Sequence, residues 1–233
     1  MQLPDQSPVY RVAAGVLQPL LTLLTRRDWQ GVEHLPPSGG VVVCANHLSH
    51  VDPLTFAHFL LDAGRPPYFL AKEELFRTPV VGQVLRGAEQ IPVRRGTGDA
   101  ARALAAAVDA VRDGRCVAIY PESTLTRDPD LWPMPGKSGA ARIALTTGCP
   151  VVPVAQWGPQ DILFPYSKRP HLLPRRTVHV LAGPPVDLDD LRGRPLSAAV
   201  LAEATRRIMS DITGLLERLR GERAPHDGAG DAA

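Results

Sequence analysis

The chain has 233 residues, of which 44% are apolar, and its 26 Lys and Arg residues nearly balance its 24 Asp and Glu residues to give a formal charge of +2. This length suits a single domain with one core and one principal active site. A charge so close to neutral does not provide the broad basic surface that nucleic-acid binding requires, and we expect no nucleic acid partner.

The first predicted element is a helical segment over residues 8–25, which is apolar around most of its circumference but contains Arg11 and Pro19. No uncharged apolar run in the chain approaches the roughly 20 residues that cross a bilayer, and the N-terminus lacks the pattern of a secretory signal. The segment suits a helix lying in a membrane interface, and equally a helix packed on the domain. We expect residues 1–28 to associate with a membrane as an amphipathic segment. The protein would then be peripheral or monotopic at the cytoplasmic face of the cell membrane.

Short β-branched runs alternate with longer helical patterns from Trp29 onward. Strands are predicted over residues 39–46, 68–71, 89–93, 115–120, 150–156 and 177–183. Several of these runs are apolar throughout, which indicates a sheet covered on both faces. Helices are predicted over residues 53–64, 79–87, 98–114 and 137–145. This alternation predicts an α/β domain with a single mixed or mostly parallel sheet flanked by helices.

The last predicted element is a long helix over residues 196–220, which closes the domain that begins at residue 29. Residues 221–233 are small and polar, and we expect them to form a disordered tail. The three cysteines, Cys44, Cys116 and Cys149, lie in or beside apolar runs without disulfide or metal-ligand spacing. We predict buried thiols in a reducing cytosol.

Polar residues bunch where the strand ending near Cys44 gives way to a helix, a place where open α/β sheets usually carry their sites. His47 and Asp52 are five residues apart, so a turn can bring the carboxylate to one imidazole nitrogen and leave the other facing a cleft. Such a pair acts as a general base, because the carboxylate fixes the tautomer and stabilises the imidazolium that forms.

Two other interpretations of this turn remain open from the residues alone. Ser49 or Asp52 could simply cap the helix that Pro53 begins, with His47 an incidental turn residue. His47, His50 and Asp52 could also bind a metal in a hydrolase. The other five histidines form no second compact cluster with acids, which leaves the metal interpretation unsupported.

The pattern Asn46-His47-x-Ser49-x-x-Asp52 resembles the first signature block of the glycerolipid acyltransferases, the family of lysophosphatidic acid and glycerol-3-phosphate acyltransferases. Residues 87–94, 120–124 and 151–154 resemble three further blocks in the same order. The resemblance runs from about Trp29 to Gly183, with Gly87 leading the second block.

The resemblance implies metal-independent transfer of an acyl group from acyl-CoA or acyl-ACP to 1-acylglycerol 3-phosphate, giving phosphatidic acid. His47 would be the general base, oriented by Asp52, and no cofactor would be needed. The expected partners are a lysophospholipid acceptor, a thioester donor that could include acyl carrier protein, and a membrane surface. Glycerol 3-phosphate or another lysophospholipid is the alternative acceptor. A non-catalytic lipid-binding module and a metal-dependent hydrolase are the alternatives of a different class.

The resemblance also implies a phosphate site formed by Arg94 and Lys72. Glu122 would bind the acceptor glycerol or hold loop amides, with Ser123 and Thr124 shaping the same loop. The oxyanion would be bound by backbone amides at the start of the following helix or near Gly87.

The third block departs from the family at two positions: Ser123 replaces a glycine and Leu125 replaces an arginine. Arg127 is our hypothetical substitute for that arginine, the alternative being an exposed residue paired with Asp128 or Asp130. We expect the neighbouring apolar loop around Trp132 to contact membrane or acyl chain rather than the core.

Overall fold

The computed structural model describes residues 6–93 and 99–225. Its strands are β1 (Thr25–Gln30), β2 (Val41–Ala45), β3 (Pro67–Lys72), β4 (Ile91–Val93), β5 (Cys116–Ile119), β6 (Val151–Trp157) and β7 (Arg176–Ala182). They form one sheet in the order β1-β7-β6-β2-β5-β3-β4. Within the described ranges every neighbouring pair is parallel except β6 with β7, which confirms the mostly parallel sheet.

Eight helices are described, and two short 3-10 turns lie at Val32–His34 and Asp189–Leu191. The helices are α1 (Pro8–Leu24), α2 (Asp52–Asp62), α3 (Glu73–Phe76), α4 (Val81–Gly87), α5 (Asp99–Arg112), α6 (Gly139–Thr147), α7 (Pro159–Ile162) and α8 (Ala198–Arg220).

Both faces of the sheet are covered, as the apolar strands predict. On one face, the side chains of β2, β5 and β6 pack against α5, α6 and α8. On the other, alternate residues of the same strands pack against α2 through Phe56, Phe59 and Leu60. The three cysteines are free and buried in this interior, and burial raises the pKa of the Cys116 thiol to about 12.

Helix α1 presents two different faces. Tyr10, Ala14 and Leu21 are buried against the domain. The other face exposes Val9, Val12, Val16, Leu20 and Leu23. The helix continues through Pro19, and its N-terminus is capped by the Ser7 hydroxyl, which accepts the Tyr10 N–H at 3.1 Å. None of the helices in the described ranges is both long and apolar enough to cross a bilayer.

Strand β1 was not predicted, and it begins inside the segment that the sequence assigns to a membrane-associated helix. Its residues are mostly charged or polar and show no alternation. It forms because parallel pairing with β7, from Thr25 opposite Arg176 to Gln30 opposite Leu181, satisfies the backbone groups on the side that faces β7.

The loop around Trp132 differs from the expectation that it contacts membrane or acyl chain. Trp132 is buried against Leu181, Leu215 and Leu216, so this loop folds back on the core and its indole does not face a membrane. At the C-terminus, Gly221 ends α8 in the left-handed conformation. Most of the expected tail, residues 226–233, lies outside the described residues.

Candidate active site

The site begins where β2 ends, with an asparagine that acts as part of the sheet. The Asn46 side-chain amide donates to the Gln156 carbonyl at 3.1 Å, and its oxygen accepts the Gln156 N–H at 2.7 Å. These two bonds continue the β2–β6 ladder by one residue and fix where the chain leaves the sheet. His47 therefore emerges at the carboxyl end of the parallel strands.

His47 and Asp52 form the pair that their spacing predicts. His47 Nδ1 lies 3.1 Å from Asp52 Oδ2, and the same oxygen accepts the backbone N–H groups of Leu48 at 2.6 Å and Ser49 at 2.8 Å. Asp52 is fully buried, whereas the His47 side chain remains 16% exposed. A donor at Nδ1 leaves Nε2 as the basic nitrogen.

Opposing effects act on the Asp52 carboxyl. Burial raises its pKa, and the hydrogen bonds and charge of His47, together with the amides of Ser49 and Leu48, oppose that rise. Asp52 opens α2, but its side chain turns back to the preceding amides, and no side chain caps the N-terminus of that helix. The capping interpretation therefore does not describe this turn.

The imidazole also stacks on Tyr120, the first residue of the third block, to which the sequence analysis gave no role. The two ring centroids are 4.1 Å apart with 19° between the planes. Phe56 and Phe69 pack around the same tyrosine at centroid distances of 5.9 and 6.4 Å. The stack restricts rotation of the imidazole.

Glu122, in the third block, and Thr126, two residues after the block, hold the backbone of His47. Glu122 accepts the His47 N–H at Oε1 and the Met134 N–H at Oε2, each at 2.9 Å. The Thr126 N–H donates to the His47 carbonyl at 2.7 Å, and its hydroxyl donates to the Trp132 carbonyl at 2.6 Å. Glu122 thus holds loop amides, one of its two predicted roles, and Thr126 is a positioning residue that the sequence analysis missed.

Burial raises the pKa of Glu122 to about 7, although the amides of Met134 and His47 lower it. This carboxyl is 4% exposed. Its protonation therefore couples to the position of the His47 backbone.

A family model described as Acyltransferase matches residues 26–157, which is more than half of the chain. The chain belongs to the acyltransferase family. This match covers β2, the His47 turn, the third block and β6, so the paired residues lie in the part of the chain that carries the family pattern.

Named relatives agree with this assignment. The 1-acyl-sn-glycerol-3-phosphate acyltransferase of Bacillus subtilis is 26% identical over 216 residues, covering 91% of this chain and 100% of that protein. That of Borreliella burgdorferi is 36% identical over 135 residues, covering 58% of this chain and 52% of that protein. The chain thus spans the full length of the first relative and about half of the second.

Among solved structures, the 1-acyl-sn-glycerophosphate (LPA) acyltransferase PlsC from Thermotoga maritima is similar with a TM-score of 0.70 at 25% identity. The superposition covers 92% of this chain and 81% of that chain. This acyltransferase therefore shares the α/β fold of the Thermotoga maritima protein over 92% of its own chain.

The departures in the third block have distinct structural consequences in this acyltransferase. Ser123 has a φ of 62°, a left-handed conformation that glycine, the residue expected here from the family resemblance, adopts without strain. Its hydroxyl donates to the Pro121 carbonyl at 3.3 Å, and the half-buried Thr124 follows in the same turn. Leu125 is buried, so the side chain in the arginine position belongs to the interior.

Arg127, our hypothetical substitute, is exposed. Its backbone N–H contacts the Met134 sulfur at 3.4 Å. Asp128 instead accepts the N–H groups of Asp130 and Trp132, and within the described ranges Arg127 makes no ion pair with either aspartate. The exposed guanidinium remains a candidate for acceptor binding.

The expected phosphate site is described only in part. Lys72 is exposed at the end of β3, opposite Val93 of β4 in the parallel register. Arg94 lies outside the described residues. The pairing of Lys72 with Arg94 around a phosphate stays a prediction.

Gly87 and Ser49 join other parts of the chain to the site region. Gly87 ends α4, where its carbonyl accepts the Ser7 hydroxyl and its α-carbon packs on Val9 of α1. The buried Ser49 donates its hydroxyl to the Leu163 carbonyl at 2.6 Å.

The amides expected to bind an oxyanion are already engaged within the protein. Near Gly87, the N–H groups of Ala88, Glu89 and Gln90 donate to carbonyls of α4. At the start of α2, the N–H of Asp52 donates to the Ser49 carbonyl, and those of Leu54 and Thr55 donate to the Val51 carbonyl. Neither predicted source offers these groups to a substrate.

His50 is exposed, while Asp52 is fully buried. In the part of the chain that the structure describes, no three His, Cys, Asp or Glu side chains are grouped so that they could hold a metal ion. The three residues of the metal interpretation do not converge on one point.

Proposed function

We propose that this acyltransferase moves a fatty acyl group from an acyl thioester to the free hydroxyl of 1-acylglycerol 3-phosphate, giving phosphatidic acid. The observation that carries the proposal is the His47–Asp52 pair, with one imidazole nitrogen held by the carboxylate and the imidazole partly exposed. The names of the Bacillus subtilis and Borreliella burgdorferi relatives support the choice of acceptor.

The acceptor hydroxyl is a weak nucleophile because its pKa is far above neutrality. His47 Nε2 removes its proton as the oxygen attacks the thioester carbonyl, and Asp52 stabilises the resulting imidazolium through Nδ1. Collapse of the tetrahedral intermediate expels the thiolate, which takes up the proton, so an ester and a free thiol result. No step requires a metal or a cofactor.

The acceptor phosphate would be bound by Lys72 and Arg94, with Arg127 as a further basic contact. The exposed apolar face of α1 would lie in the cytoplasmic surface of the cell membrane, where the acceptor resides. Acyl-CoA and acyl-ACP are both chemically adequate donors, since each releases a thiolate.

An acceptor panel with one acyl-CoA tests the proposal. We expect kcat/KM to be highest for 1-acylglycerol 3-phosphate, with glycerol 3-phosphate and a lysophospholipid without a free phosphate at least about tenfold lower. If glycerol 3-phosphate were the only acceptor in the panel to be acylated, it would replace 1-acylglycerol 3-phosphate as the proposed acceptor. A protein that binds lipid without any turnover would be the non-catalytic module instead. The same acyl chain on CoA and on carrier protein then compares the two donors.

A further inference from the structure

A loop outside all four signature blocks exposes an unusual number of apolar side chains. Residues 163–175 connect α7 to β7. Phe164 is 55% exposed, Tyr166 61%, Leu172 43% and Leu173 80%. Single exposed apolar residues are common on soluble proteins, but four within ten residues form a surface that favours a partner.

The charge of this loop has one sign. Lys168, Arg169 and Arg175 lie in it, and residues 163–176 include no aspartate or glutamate. Lys168 and Arg169 are exposed and make no ion pair within the described residues. Aromatic and leucine side chains beside unpaired basic groups match the interface of an anionic bilayer.

The loop is hydrogen-bonded to both sides of the active site. Its Leu163 carbonyl accepts the hydroxyl of Ser49, two residues after His47, at 2.6 Å. The Tyr166 hydroxyl donates to the carbonyl of Leu125, in the third block, at 3.2 Å. A surface that the loop touches is therefore brought next to the catalytic turn.

The same loop is tied to the end of α1. Arg175 donates to the carbonyls of Thr22 at 2.7 Å and Thr25 at 2.6 Å. These bonds link it to the helix whose outer face exposes five apolar side chains.

We propose that residues 163–175 are a second membrane-binding element, which docks on an anionic lipid bilayer and places the mouth of the site at its surface. The inference rests on the proposed lipid acceptor, which a site next to the bilayer receives without passage through water. Pro165, Pro170 and Pro174 restrict the loop, so little conformational entropy is lost when it docks. A second copy of this chain would place like charges together in a symmetric contact, which disfavours that occupant.

Vesicle binding of the whole protein tests the apolar part of the surface. A Phe164→Ser/Leu173→Ser variant should bind vesicles containing an anionic phospholipid about 10- to 100-fold more weakly than the wild type. The matched control, Val32→Ser/Leu196→Ser, removes two exposed apolar residues outside the loop and should bind like the wild type. Equal vesicle affinity of the loop variant and the wild type would overturn the proposal.

Charge reversal tests the choice of lipid. Lys168→Glu/Arg169→Glu should lower affinity for anionic vesicles by at least about tenfold while leaving affinity for neutral vesicles unchanged. An equal loss on both vesicle types would contradict an anionic surface as the partner. A wild-type dimer in solution that dissociates in the Phe164→Ser/Leu173→Ser variant would instead assign the loop to contact between copies.

Two acceptor forms separate docking from catalysis. With a short-chain acceptor dissolved as monomers, Phe164→Ser/Leu173→Ser should keep kcat/KM within about twofold of the wild type, and with vesicle-borne acceptor it should lose about tenfold or more. The same loss with both acceptors would overturn the docking role. Wild-type protein inactive on both would contradict the proposed function, while the binding comparison would still decide the docking proposal.

Discussion

At the scale of single residues, one carboxylate oxygen organises the catalytic turn. Asp52 Oδ2 receives His47 Nδ1 and the amides of Leu48 and Ser49. The carboxylate therefore shapes the loop that presents the histidine as well as orienting the ring. The five-residue spacing works because the chain between the two residues folds around this oxygen.

Ser123 holds a conformation that suits glycine. Its φ of 62° is strained for a residue with a Cβ, so Ser123→Gly should raise the free energy of unfolding by about 0.5–1 kcal/mol. Urea denaturation measures this difference. The control is Thr124→Gly, at a neighbouring residue without a positive φ, which should lower the free energy of unfolding. A Ser123→Gly protein less stable than the wild type would show that the serine hydroxyl outweighs the strain.

The raised pKa of Glu122 predicts that the stability of the protein depends on pH. The unfolded chain releases this proton near pH 4.5 and the folded protein near pH 7, so between these values the folded state binds more protons. Stability from this group is therefore fully present below about pH 4.5, falls as the pH rises to about 7, and is constant above. The loss amounts to about 3 kcal/mol at most.

The comparison with Glu122→Gln isolates that contribution. The glutamine does not titrate, so the wild type should lose stability relative to the variant between pH 4.5 and pH 7, measured by urea denaturation across that range. Asp52 is present in both proteins, so the comparison removes its contribution except for the part that depends on the charge of Glu122. Parallel stability curves for the two proteins would contradict the raised pKa of Glu122.

At the scale of secondary-structure elements, a glycine sets how closely α1 approaches α4. A Cβ on Gly87 would lie 2.6 Å from Cγ1 of Val9. Gly87→Ala should therefore lower the free energy of unfolding by about 1–3 kcal/mol. Adding Val9→Ala should restore only part of the loss, because the Cβ that alanine retains at position 9 would still lie 2.8 Å from the added methyl group.

Thermal unfolding of the single and double variants measures this packing. Gly214→Ala in α8 is the matched control, since nothing lies within 4 Å of its added Cβ, and alanine should stabilise that helix by up to about 1 kcal/mol. A Gly87→Ala protein as stable as the wild type would mean that the two helices separate without cost.

Elements with a strong local pattern were predicted from the sequence, and those formed by long-range pairing were not. The apolar runs of β2, β5 and β6 predict buried strands from the local sequence alone. Strand β1 has no such pattern and depends on β7, about 150 positions later in the chain. The Trp132 loop looked like a surface loop because its burial depends on α8, more than 60 residues further along.

At the scale of the whole molecule, the site lies where the parallel strands β2 and β5 end together. His47 follows the first of these strands, and Tyr120 and Glu122 follow the second. The spacing of His47 and Asp52 predicted their pairing. The stack on Tyr120 and the bond from Thr126 could not be predicted, because residues more than 70 positions apart meet only through sheet order.

We propose that two surfaces of the molecule bind the membrane together. The outer face of α1 and the loop at residues 163–175 are joined through Arg175, and the loop is joined to the catalytic turn through Ser49. Membrane binding would then place the active site at the bilayer surface without any conformational change of the protein.

The most direct test of the central claim, that His47 is the general base of acyl transfer, is the turnover of His47→Ala. With purified protein, one acyl-CoA and 1-acylglycerol 3-phosphate, kcat should fall on the order of 10³-fold or more, with far-ultraviolet circular dichroism unchanged. His50→Ala, which removes an exposed histidine of the same turn, should stay within about twofold of the wild type. A folded His47→Ala protein that turns over at the wild-type rate would exclude His47 as the general base.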